Sequence, residues 1–117
     1  PGFEVFPGSE RFLLSALKAG GVGCISATTN VTAPMAAKVY AGWRGDQADA
    51  LQAELTAVRD ILETFPPIAA LKQLLARTTG QASWLNIRPP LLRLTDAQAQ
   101  ALFAKLEAVS FETARAA

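Results

Sequence analysis

Apolar and polar positions along the 117-residue chain follow two different rhythms. Between residues 3 and 26 short apolar runs alternate with small turn-forming residues, whereas beyond residue 33 apolar side chains recur every three or four positions, the spacing that gives a helix one apolar stripe. Phe3, Val5 and Phe6 predict a buried strand over 3–6, stopped by Pro7-Gly8. Ser9 is placed to cap the helix that follows, with Glu10 at its positive end; Phe12, Leu13, Ala16 and Leu17 form the apolar face and Gly20-Gly21 closes it. Val22 to Ser26 predicts a second strand, short and apolar enough to be covered on both faces. Strand, helix, strand, helix in that order builds parallel sheets, so the two strand ends are expected side by side.

The remainder reads as helical. A helix is expected from about Pro34 to Gly42 or Trp43, with proline in its first position. Gly45 then breaks the chain, and Asp46 is expected to cap a long helix carrying Leu51, Leu55, Val58, Ile61, Leu62 and Phe65. Pro66-Pro67 ends it and opens another, with Ile68, Leu71, Leu74 and Leu75 on one face and Gly80 at the close. Residues 81–93 are expected to be extended or irregular, because Pro89-Pro90 keeps the preceding backbone out of helix. Thr95 and Gln98 fit a capping box that opens a last helix with Leu102, Phe103, Leu106 and Val109 inward; the tail from Phe111 continues it or frays. The natural division falls near Ala33, giving segments 1–33 and 34–117.

Composition narrows the function classes. The formal charge is +1 and the basic residues are scattered singly, so there is no nucleic-acid stripe. One cysteine and no histidine leave neither a disulfide framework nor a zinc or haem constellation, and no cofactor is expected. No apolar run reaches the length of about 18 residues that marks a membrane span, and no leader pattern is visible; a cytoplasmic, reducing compartment is the natural expectation. The chain starts at Pro1 without an initiating Met, which points to a processed, cleaved or partial polypeptide.

Five landmarks in order carry a resemblance: the strand with Pro7-Gly-Ser-Glu10; Gly20-Gly-Val-Gly-Cys-Ile-Ser-Ala-Thr-Thr-Asn-Val31; Trp43-Arg-Gly-Asp46; Pro66-Pro-Ile-Ala-Ala-Leu-Lys72; and Ile87-Arg-Pro-Pro-Leu91. From about Phe3 to about Leu94 the chain resembles the C-terminal part of the dihydrodipicolinate synthase and N-acetylneuraminate lyase family. The resemblance implies an α/β fold: the last two parallel strands of a (β/α)8 TIM barrel in residues 1–33, then the final barrel helix and a C-terminal helical extension in 34–117, mostly helical as a whole. A complete barrel needs about 250 residues, so the remaining barrel polypeptide is an implied partner. The implied chemistry is that of a class I aldolase or lyase, in which a lysine forms a Schiff base with pyruvate or a related 2-keto acid and an aldehyde is added or released. A homo-oligomer, dimer or tetramer, is expected, with no nucleic acid and no membrane.

The resemblance places the Schiff-base lysine on the strand just before the matched region, so no catalytic residue is expected in this chain. Lys18, Lys38, Lys72 and Lys105 read as surface lysines, and Tyr40 as a packing residue. Thr28-Thr29 is like the family's carboxylate-binding pair but lies on a different strand. What the resemblance does carry over is a substrate-binding set: Gly8, whose backbone faces the keto acid; Ser9 and Glu10, which meet the rest of the substrate; and Ile25, Ser26 and Ala27, where the isoleucine carbonyl lies near the Schiff-base amine. At Ser9-Glu10 the synthases carry two acidic residues, a departure that puts the diaminopimelate-pathway substrate in doubt. Without the resemblance, Pro-Gly-Ser-Glu is an ordinary capped turn. Gly20-Gly-Val-Gly precedes its strand, so it lacks the context of a dinucleotide loop. Cys24 reads as a small core residue, Glu54, Asp60 and Glu63 as a solvated helix face, and Trp43, Trp84 and Phe111 as candidates for an apolar contact surface. Two other readings stay open: a non-catalytic helical module for oligomerisation or partner binding, and a catalytically dead relative used as a regulator.

Overall fold

The computed structural model describes residues 2–111. Its elements, in order, are a 3-10 turn Glu10–Phe12, α1 Leu13–Lys18, α2 Thr29–Gly42, α3 Ala48–Glu63, α4 Pro67–Thr79, a second 3-10 turn Ala82–Leu85 and α5 Asp96–Ala108. The chain divides into two compact units, residues 1–59 and 60–117.

The first unit is built around α1, α2 and most of α3. Ser9, in extended backbone, caps the opening turn as expected, its hydroxyl accepting from the Arg11 N–H. Leu13, Leu14 and Leu17 of α1 pack into one cluster with Ala36 and Val39 of α2 and with Ala48 and Leu55 of α3; Cys24, Met35, Trp43 and Leu51 lie against it. Phe12, placed on the apolar face by its spacing, is instead 54% exposed. The short opening turn is 3-10, which shifts the inward stripe one position along to Leu14. Gly20, at φ +91°, closes α1: its N–H reaches the Leu17 carbonyl and the Gly21 N–H reaches that of Ala16, the paired bonds of a Schellman end.

Neither predicted strand forms a regular ladder, and no strand occurs among the described residues. Segments 3–7 and 22–26 do run alongside one another. The Val22 N–H donates to the Val5 carbonyl and the Ile25 N–H to the Pro7 carbonyl, each at 3.1 Å, in the sense of a parallel pair. A regular pair would need residue 7 to return an N–H to the Val22 carbonyl. Pro7 has none, the next bond slips from residue 24 to Ile25, and the ladder lapses.

α2 begins at Thr29, five residues before the proline taken as its start, so Pro34 stands inside the helix. Side chains fix the early turn: Thr29 Oγ1 donates to the Ser26 carbonyl, Asn30 Nδ2 to that of Ala27 at 2.8 Å, and Thr32 Oγ1 to that of Thr28 at 3.1 Å. α3 starts at Ala48, so Gln47 rather than Asp46 stands at its head.

In the second unit Pro67 occupies the first turn of α4 and Gly80, at φ +70°, ends it. The buried face of α4 is Ala69, Ala70, Leu71 and Leu74, and Ile68 is 51% exposed. The Thr95–Gln98 capping box is fully formed at the head of α5, and Ala99, Leu102 and Leu106 turn inward. Val109 lies past the helix end and is exposed. There the Phe111 N–H bonds the Leu106 carbonyl and the Ser110 N–H that of Glu107, with Ser110 at φ 53°. A side chain is disfavoured in that left-handed position, so Ser110→Gly is expected to raise the unfolding free energy by roughly 0.5–1 kcal/mol, read from the urea midpoint. The tail beyond Phe111 lies outside the described residues.

Candidate functional site

The first unit brings the two predicted segment ends together. Gly8, Ile25 and Ala27 are exposed, Ser9 and Ser26 half-buried, and Glu10 wholly buried at 0% exposure. The Ile25–Pro7 backbone bond joins the ends, and a polar cluster lies behind them. Its centre is the Glu10 carboxylate. One oxygen, Oε2, accepts from Ser26 Oγ and from Arg59 Nη1, each at 2.5 Å. The other, Oε1, accepts from Thr28 Oγ1 and from Thr32 Oγ1. Arg59 Nη1 also lies 2.9 Å from both Ser26 Oγ and Thr28 Oγ1.

Burial by itself pushes the Glu10 carboxyl up. Hydrogen bonds from Ser26 and Thr28 and from its own backbone, together with the Arg59 charge, outweigh that and hold it below the ordinary glutamate value. An ionised carboxylate in this position is stable only because every acceptor site is used. Gln52 of α3 ties down the same turn: its amide group donates to the Glu10 carbonyl at 3.1 Å and to Thr56 Oγ1 at 3.0 Å, and its oxygen accepts from the Leu14 N–H at 3.0 Å. Cys24, half-buried beside the cluster, has its thiol pushed up, first by burial and then by the Glu10 charge, with Arg59 pulling the other way. That keeps it in the neutral, unreactive form.

Arg59, Gln52 and Thr32 were not among the residues singled out from the sequence. The signal for two of them is legible afterwards. Gln52, Thr56 and Arg59 stand at i, i+4 and i+7 on α3, a polar stripe beside the apolar one.

Across residues 1–109 the chain matches the model of the dihydrodipicolinate synthetase family. The chain belongs to that family. It is 33% identical over 110 residues to an uncharacterized DapA-like lyase of Chloroflexus aurantiacus, a match covering 93% of this chain and 36% of the relative. It is 40% identical over 92 residues to the 4-hydroxy-tetrahydrodipicolinate synthase of Gluconacetobacter diazotrophicus, covering 74% of this chain and 31% of that one. Among solved structures it is similar in fold to a Sulfolobus 2-keto-3-deoxygluconate aldolase in complex with D-KDPG, with a TM-score of 0.83 at 21% identity, covering 94% of this chain and 38% of that chain. A dihydrodipicolinate synthase from Agrobacterium tumefaciens gives a TM-score of 0.75 at 23% identity, covering 92% and 35%. The chain thus spans about a third of the length of the relatives it matches.

The other candidate residues of this family member are dispersed. Lys72 lies in the second unit, in a shallow pocket of about 350 Å³ lined by Ile68, Asn86, Ile87, Arg88 and Leu91, and its amine donates to the Asn86 carbonyl at 2.5 Å. Lys18 pairs with Asp49 at the surface at 3.2 Å. Tyr40 is 52% exposed on α2, and the Arg44 guanidinium stacks over Trp43. Lys105 lies over the Phe65 ring. Among the described residues no three His, Cys, Asp or Glu side chains are grouped to hold a metal, and no helix is long and apolar enough to cross a membrane.

Proposed function

We propose that this chain is the closing part of a Schiff-base, pyruvate-dependent aldolase, lyase or synthase. In this reading segments 3–7 and 22–26 are the last two staves of a (β/α)8 barrel, residues 34–117 are its final helix and helical extension, and the Schiff-base lysine stands on polypeptide that precedes them. The observation that carries the reading is the family match over 1–109 in a chain that spans only 31–38% of the relatives described above. Exposure of Phe3, Val5, Phe6, Val22 and Ile25 on the two segments supports it, because barrel strands are covered on both faces.

Within that enzyme, pyruvate or a related 2-keto acid condenses with the lysine amine and loses a methyl proton to give an enamine, which adds to an aldehyde; cleavage is the reverse. Gly8, Ser9, Ile25, Ser26 and Ala27 are this chain's share of the substrate site, and Glu10, expected from the resemblance to meet the substrate, is buried behind them. The backbone of the exposed residues Gly8 and Ile25 meets the keto acid and its imine, and Ser9 lies toward the rest of the substrate. The complete protein is a cytoplasmic homo-oligomer, and this chain is inactive by itself.

Reduction with borohydride in the presence of pyruvate tests the assignment. In the complete polypeptide one lysine is expected to gain the trapped three-carbon adduct, and it falls outside residues 1–117. Peptide mapping that finds the adduct on Lys18, Lys38, Lys72 or Lys105 would overturn the placement. Absence of any adduct in a complete, folded protein favours instead the helical module for partner binding, a reading supported by the dominance of helix among the described residues.

A further inference from the structure

We propose that Glu10 and Arg59 form a positioning pair that sets the substrate rim from behind, with Glu10 contributing through Ser26 and Thr28 and not by touching substrate. This rests on the proposed function above. Three observations carry it. The Glu10 side chain has no solvent contact, and both its oxygens are already occupied by hydroxyls and the guanidinium. Ser26 and Thr28 flank Ala27 and follow Ile25, so anchoring both hydroxyls fixes the backbone that carries the exposed residues Ile25 and Ala27. Finally, the two segments share only a lapsed ladder, so the backbone alone specifies their register weakly.

The pair supplies what the ladder lacks. Glu10 opens the 3-10 turn that leads into α1, just past the first segment, with Ser26 and Thr28 at the end of the second and Arg59 on α3. One carboxylate and one guanidinium therefore tie three pieces of backbone together through charge-assisted bonds, which are about twice as strong as neutral ones. The guanidinium, with 16% of its side chain accessible, closes the cluster against water. Among the described residues, the charged or titratable groups facing Glu10 are Arg59 from α3 and the Cys24 thiol from the second segment.

The test uses the complete enzyme, with pyruvate turnover and thermal midpoint measured together. Arg59→Met and Glu10→Gln are each expected to lower kcat at least tenfold while the KM for pyruvate changes much less. In Arg59→Met the carboxyl loses its cation and titrates at higher pH, so the acid limb of kcat moves up; the double variant E10Q/R59M lacks that movement. The double variant is expected to regain thermal midpoint relative to Arg59→Met without regaining kcat. A pair that only holds the fold together would return both, and that result overturns the proposal. Should the single variants fail to fold, Thr28→Val removes one buried hydroxyl and leaves the ion pair in place. A several-fold loss of kcat is expected there, and unchanged kcat overturns the proposal. A parent enzyme with no trapped pyruvate adduct sinks the proposed function and this inference with it, whereas an active parent whose variants keep their kcat sinks this inference alone.

Discussion

Replacing Arg59 by methionine is expected to cost about 3–5 kcal/mol of unfolding free energy at neutral pH, because it leaves a carboxylate with no solvent contact without its counter-charge. Methionine matches the length of the arginine stem, so the loss is electrostatic and not a cavity effect. The pH dependence separates this from a generic packing defect. Glu10 in the folded protein lies below its ordinary value, so its contribution is fully present above the unfolded pKa of about 4.3 and is lost as pH falls through the folded value. Removing Arg59 moves the folded value up, toward the unfolded one, and shrinks that contribution. The gap between parent and variant is therefore widest near neutrality and narrows in acid, where the carboxyl is protonated in both. Urea titrations at pH 7 and at a pH well below 4 read it directly. A gap that stays constant between the two, or that is below about 1 kcal/mol at pH 7, would show that the guanidinium is not compensating a buried charge. Removing the charge as well, in E10Q/R59M, is expected to recover part of the loss, since the larger penalty lies in the orphaned ion and not in the missing pair.

How much of this was readable in advance differs by element, for physical reasons. Helix ends set by local chemistry were legible: the Ser9 cap, the Thr95–Gln98 box and the Gly20 and Gly80 ends all stand where side-chain hydrogen bonding and left-handed backbone require them. The start of α2 was not, because Pro34 is an obvious opening residue whereas the true nucleus is a set of side-chain to carbonyl bonds from Thr29, Asn30 and Thr32. The two strands were legible as extended apolar segments but not as a ladder. Composition marks a segment as strand-like, yet pairing depends on a specific N–H, and Pro7 removes the one needed. At the candidate site, sequence singled out Glu10 and Ser26 and missed Arg59 and Thr32, which bond to Glu10. Glu10 carries the same letter whether it faces substrate or an arginine 49 residues away, and only the fold decides between them.

Charge placed on the exposed apolar segments is expected to abolish assembly of the complete enzyme while leaving this chain's own core intact. Phe3 is 93% exposed, Val5 59%, Phe6 44%, Val22 38% and Ile25 71%, five large apolar side chains on two neighbouring segments. Burying each against the rest of a barrel contributes roughly 1.5–3 kcal/mol. A lysine at Val5 forfeits its share and adds the cost of desolvating an ammonium group. None of the five belongs to the buried cluster of Leu13, Leu14, Leu17, Ala36, Val39, Ala48 and Leu55, so the helices of the first unit are expected to keep their far-ultraviolet signal in Val5→Lys. The parent 117-residue chain alone is expected to bind an apolar dye strongly and to self-associate, since an uncovered segment of this kind is a template for further pairing. On the proposed function, co-expression with polypeptide supplying the preceding barrel units is expected to quench that dye binding and to restore pyruvate turnover, and Val5→Lys is expected to reduce both effects more than tenfold. A parent chain that is monomeric and dye-free by itself, or a Val5→Lys chain that still assembles and turns over, would show that these segments face water in the working protein and are not barrel staves.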